Sequence, residues 1–62
     1  MTQKELLYLE DAIGHEKSIY GILSESIENI NDDDLKSFLD SEMKIHKELE
    51  NNLMSLLEAK NG

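Results

Sequence analysis

The chain has 62 residues and sets 14 acidic side chains against six lysines, for a formal charge of −8, with no arginine, cysteine or proline. A chain this short makes one domain and buries only about 60% of the surface its unfolded form exposes. No disulfide can staple it. It offers no basic face for nucleic acid or an anionic membrane, and no run approaching the ~18 apolar residues of a membrane span, so the expected location is cytoplasmic.

Thr2 followed by Glu5 spells a capping box, in which the threonine oxygen accepts from a free backbone N–H and the glutamate reaches back to the cap. The predicted first helix runs over 3–30. Its apolar residues Leu6, Leu9, Ile13, Tyr20, Leu23, Ile27 and Ile30 follow a 3-then-4 rhythm interrupted at Glu16, the signature of a heptad seam. Asn31, Asp32, Asp33 and Asp34 favour turns and N-caps, and their charge suits the positive end of a following helix. The turn is therefore placed at 31–34. A second apolar run goes through Leu35, Phe38, Leu39, Ile45, Leu49, Leu53, Leu56 and Leu57, predicting a helix over 35–60 that stops at Lys60-Asn61-Gly62.

Two helices of about 27 residues, each roughly 40 Å long, joined by so short a turn must run antiparallel. The expected fold is all-α: a two-helix hairpin in which residue i lies level with residue j where the two numbers add to about 63. Leu7, Tyr8, Ala12, Ile19 and Ile22 widen the first stripe, and Met43 and Met54 the second, beyond what two helices can hide. Small scaffolds without disulfides rely on a metal or a partner chain, and a two-fold dimer of hairpins would close a four-helix bundle. Gly14 and Gly21, seven apart, either admit close helix approach or simply cost helix propensity.

The polar residues within the stripes carry the chemistry. Glu16 interrupts the first, while Glu42 and His46, one turn apart, lie on the apolar face of the second. Glu16 and His46 add to 62 and should be level. Doubled by a two-fold axis, the set gives four carboxylates and two histidines, the inventory of a di-iron or di-manganese carboxylate bundle. Two divalent cations would balance the four negative charges, with iron and manganese the candidate metals. The usual bundle motif is Glu-x-x-His, and Glu42 to His46 is one residue longer, which changes the aim of the imidazole. The competing reading puts these residues at the seam's edge, with His46 or Lys17 paired to a glutamate. His15 reads as surface.

No Ser-His-Asp arrangement can be argued among Ser18, Ser24, Ser26, Ser37, Ser41 and Ser55, and glycine-rich phosphate loops are absent. The acidic surface has two readings: a solvating coat, or a face that binds a basic protein partner in the manner of an inhibitor.

Leu9-Glu10-Asp11, His15-Glu16-Lys17, Tyr20, the run Asp34-Leu35-Lys36-Ser37-Phe38-Leu39, then Glu42, His46 and the closing Leu-Leu-Glu-Ala-Lys-Asn-Gly together resemble the coat F family of small bacterial spore-coat proteins. The resemblance spans Leu9 to Gly62 and implies a ferritin-like helical fold with a structural, spore-associated role. The hairpin also resembles encapsulated ferritins, whose two-helix subunits form a ferroxidase centre on dimerisation. That likeness implies Glu16 and Glu42 as the glutamate ligands, with His46 displaced by one position. The expected function is a small self-associating ferritin-like protein, the alternative an acidic interaction protein, and ferroxidase-type catalysis comes third.

Overall fold

The structure, a computed structural model, describes residues 1–61; Gly62, the last residue of the expected stop signal, lies outside the described residues. Two helices pack against each other: α1 spans Gln3–Asn29 and α2 spans Asp33–Asn61. The capping box forms as the sequence predicts. The Glu5 amide donates to Thr2 Oγ1 at 3.1 Å, and the Thr2 amide donates to Glu5 Oε1 at 2.7 Å. That backbone bond, then the Thr2 side chain, holds the Glu5 carboxyl below its ordinary value of 4.5, with the amino terminus and Lys60 adding to the effect.

The connection is tighter than expected. Ile30 leaves α1 in an extended conformation, and Asp32 caps α2 by accepting the Leu35 amide on Oδ1 at 3.0 Å and the Lys36 amide on its carbonyl at 2.9 Å. Asp33 and Asp34 therefore belong to the first turn of α2 and not to the loop, because their negative charge is favourable beside the free N–H groups there.

In α1 the seam is the one predicted, with Leu6, Leu9, Ile13, Glu16, Tyr20, Leu23, Ile27 and Ile30 all buried or half-buried. In α2 it differs. The side chains turned inward are Leu39, Met43, His46, Glu50, Leu53 and Leu57, a 4-3-4-3-4 rhythm. Leu35, Phe38, Ile45, Leu49 and Leu56 form a separate exposed stripe, with Phe38 60% and Ile45 56% accessible. The α2 sequence thus interleaves two apolar heptads, and the hairpin consumes one of them.

The two flanks of the seam differ in chemistry. Tyr20 lines a shallow groove with Asp40, Lys44, Lys47 and Asn51 of α2, each of which follows a seam residue by one. The Lys47 ammonium lies 5.4 Å from the Tyr20 ring centroid, a cation–π distance. Glu5 and Leu56, each preceding a seam residue by one, meet on the other flank beside Met1, Leu9 and Lys60. An antiparallel pair has a local two-fold axis perpendicular to its plane, so equivalent positions of both helices share a flank. Gly14 and Gly21 fall on the Tyr20 flank. A methyl group built at either meets nothing within 4 Å, so neither admits a close approach within the hairpin.

The hairpin is a rod of 45 × 15 × 11 Å with a Cα radius of gyration of 14.3 Å, against ~10.5 Å for a compact chain of this length. A rod this thin buries little. Among the described residues Ile13, at 7% exposure, is the one apolar side chain in the buried class. No described helix is long and apolar enough to cross a membrane.

Candidate functional site

Antiparallel register brings Glu16 of α1 level with His46 of α2, as their position sum requires. The contact is close: His46 Nδ1 lies 2.5 Å from Glu16 Oε2. An ionised carboxylate can only accept, so Nδ1 carries the proton and donates. Glu16 is 13% exposed at its side chain and His46 25%, which shields this charge-assisted bond from much of the solvent. Glu42 stands one turn before His46, its Oε2 3.9 Å from His46 Nε2. Beyond hydrogen-bonding reach, it can attract the ring only as an ion pair.

Two of the three predicted site residues, Glu16 and His46, therefore meet within the seam, and Glu42 stands at its edge beside His46. With Nδ1 committed to Glu16, the imidazole presents Nε2 towards Glu42. A carboxylate that orients a histidine through one nitrogen while leaving the other free is the usual support behind a metal-binding histidine. The 3.9 Å between Nε2 and Oε2 is less than twice the ~2.1 Å of a metal–nitrogen or metal–oxygen bond, so one cation can touch both. One hairpin supplies no more than that. Among the described residues no three histidine, aspartate or glutamate side chains converge to hold a metal ion. The contact that is present is the hydrogen bond between His46 and Glu16.

Sequence reasoning missed Glu50. It is the charged residue in the buried class, 5% exposed, and its Oε1 lies 3.6 Å from Lys47 Nζ. Lys47 thereby reaches over the Tyr20 ring and caps a carboxylate inside the seam. Counting back from Leu57 by alternating steps of four and three (Leu53, Glu50, His46, Met43, Leu39) would have placed it there. The neighbouring Leu49 drew the stripe onto the wrong heptad. His15 is exposed, as predicted.

The remaining polar contacts are local. Ser26 and Ser41 hydroxyls donate to carbonyls four residues back, as isolated helix serines do. They assemble no nucleophile. Compared with models of known families, with curated proteins and with solved structures, the chain matches none.

Proposed function

We propose that this chain is a small self-associating subunit with a structural, spore-associated or cytoplasmic role, ferritin-like in that two hairpins join as a four-helix bundle. One observation carries the reading: the hairpin leaves Tyr8, Ile22, Phe38 and Ile45 more than half exposed while burying a single apolar side chain among the described residues. Exposed apolar area of that kind marks an interaction surface, and a 62-residue rod has too little core to stand alone. Equilibrium sedimentation tests it. The expected mass is twice the chain's 7.1 kDa or a higher multiple, with helicity lost on dilution. A stable 7.1 kDa species with a sharp thermal transition would refute the reading.

The same doubling supports a metal role. Two copies pool two His46 Nε2 atoms with two Glu42 carboxylates, each imidazole backed by its own Glu16, a donor set suited to iron or manganese. Bound iron would supply ferroxidase-type oxidation; this chain's own part is to orient the imidazole through Glu16 and to offer Glu42 beside it. A metal that binds the folded assembly must raise its melting temperature as free metal increases. Glu42→Ala should abolish that rise. Melting curves unmoved by iron, manganese and zinc would leave the cluster as an ion pair alone.

A second reading, an acidic protein that binds a basic partner, has the charge in its favour. Lys44 and Lys47 are engaged with Asp40 and Glu50 of their own helix, and the chain carries a net charge of −8. Reversing Asp32, Asp33 and Asp34 to lysine discriminates. A solvating coat predicts an intact assembly with modestly reduced stability, whereas loss of partner binding on an unchanged fold would favour the acidic-binder reading.

A further inference from the structure

We infer that the flank opposite Tyr20 is the assembly face, covered by the same face of a second copy with Ile45 at the two-fold axis. The inference rests on the self-association reading and specifies its geometry. Every residue preceding a seam position lies on this flank. In α1 these are Tyr8, Ala12, His15, Ile19, Ile22 and Ser26; in α2 they include Phe38, Glu42, Ile45, Leu49, Asn52 and Leu56. The opposite flank presents Glu10, Lys17, Asp40, Lys44, Lys47 and Asn51, with Leu7 and Met54 its two exposed large apolar side chains. Two positions of sequence thus separate a mainly polar side from a mainly apolar one.

Area points to another copy of the chain. Seven large apolar side chains of this face, Leu35 among them, are 42–64% exposed; at about 150–250 Å² per side chain of this size, they present on the order of 600 Å². A stable interface needs about 800 Å² from each partner, and the stems of the bordering side chains supply the remainder. An isologous contact requires a surface that complements itself, and with Ile45 at the axis the two ends of the α2 stripe meet, Leu35 ten positions before it against Leu56 eleven after. A basic foreign partner fits this surface poorly, because Glu42 is the carboxylate near its centre and most of the acidic residues lie elsewhere. Covering the face also encloses Glu42, so the Glu16–His46–Glu42 cluster of each copy opens onto the interface and is completed by its mate.

The chain has no cysteine of its own, so engineered cysteines read the geometry directly. Ile45→Cys should oxidise to a covalent dimer that retains wild-type helicity, since two residues straddling the axis come within the roughly 4.4–6.8 Å Cα separation a disulfide needs. Lys44→Cys, on the mainly polar flank, should stay unlinked under the same conditions. Ile45→Glu should weaken association at least 100-fold by equilibrium sedimentation. An oligomeric wild type in which Lys44→Cys links and Ile45→Cys does not would overturn this face while sparing self-association. A wild type that sediments as a 7.1 kDa monomer, with Ile45→Cys unlinked, would overturn both. A wild type whose association survives Ile45→Glu overturns the face even where cross-linking is ambiguous.

Discussion

Glu16 and His46 lie 30 residues apart along the chain and 2.5 Å apart in space, a contact that agrees with the register the short turn imposes on the hairpin. Sliding α2 by a heptad would still lay apolar side chains on apolar side chains. It would also strand a carboxylate and an imidazole among them, and a stranded polar group costs more than a shifted leucine. Replacing either residue should therefore loosen alignment as well as stability. Glu16→Gln and His46→Gln are each expected to cost about 1–2 kcal/mol, with a coupling of roughly 1 kcal/mol in a double-mutant cycle. Chemical denaturation measures it, and a coupling indistinguishable from zero would show that the pair contributes nothing to the fold.

Glu50 occupies a seam position that leucine would fill better. Replacing a buried ion pair by an apolar side chain of similar volume is commonly neutral or stabilising, so Glu50→Leu is expected to add about 1–2 kcal/mol. For a domain of this size that is roughly 4–8 °C in melting temperature per kcal/mol. A fall in melting temperature would mean that Glu50 makes a contact beyond Lys47, such as one across an assembled interface.

Gly14 and Gly21 sit in mid-helix with open space where a side chain would be. Gly14→Ala and Gly21→Ala should each stabilise by about 0.5–1 kcal/mol through helix propensity alone. Thermal melts of both variants check this. Loss of the oligomer in either would show that the mainly polar flank receives a neighbour, against the face assigned above.

The capping box gives a pH dependence with a definite sign. Because the folded Glu5 carboxyl lies below its ordinary value of 4.5, its contribution is complete above that value and is lost as pH falls through the folded one. The first turn of α1 should then fray on acidification before the rest of the rod. Thr2→Ala should return the Glu5 midpoint towards 4.5, read from its side-chain carbon shift in an NMR titration. A midpoint unmoved by that substitution would mean Thr2 is not what depresses it.

Much of this architecture was legible because it rests on local chemistry. Thr2 with Glu5, the 3-4 rhythm of α1 and the aspartates near the turn each act within a few residues of themselves. Levelling Glu16 with His46 needed only the length of the helices and the place of the turn. What could not be read was how α2 divides its leucines. Leu49 and Leu56 belong to one heptad and Leu53 and Leu57 to another offset by one residue, and the choice between them depends on what α1 presents across the seam. That ambiguity hid Glu50 and placed Phe38 and Ile45 inside. The start of α2 moved for a smaller reason: Asp32 alone satisfies the free amides, so Asp33 and Asp34 are released to become helix.

A rod three to four times longer than it is wide, 45 × 15 × 11 Å, tumbles and filters like a much heavier sphere. Its apparent size on a gel column overstates its mass even as a single hairpin, and the diagnostic quantity becomes its longest dimension. Side-by-side pairing across a flank thickens the scattering cross-section and leaves the maximum span near that of one hairpin. Joining at the tips would stretch the span and leave the cross-section alone. Small-angle scattering thus separates bundle from filament on the outline of the particle.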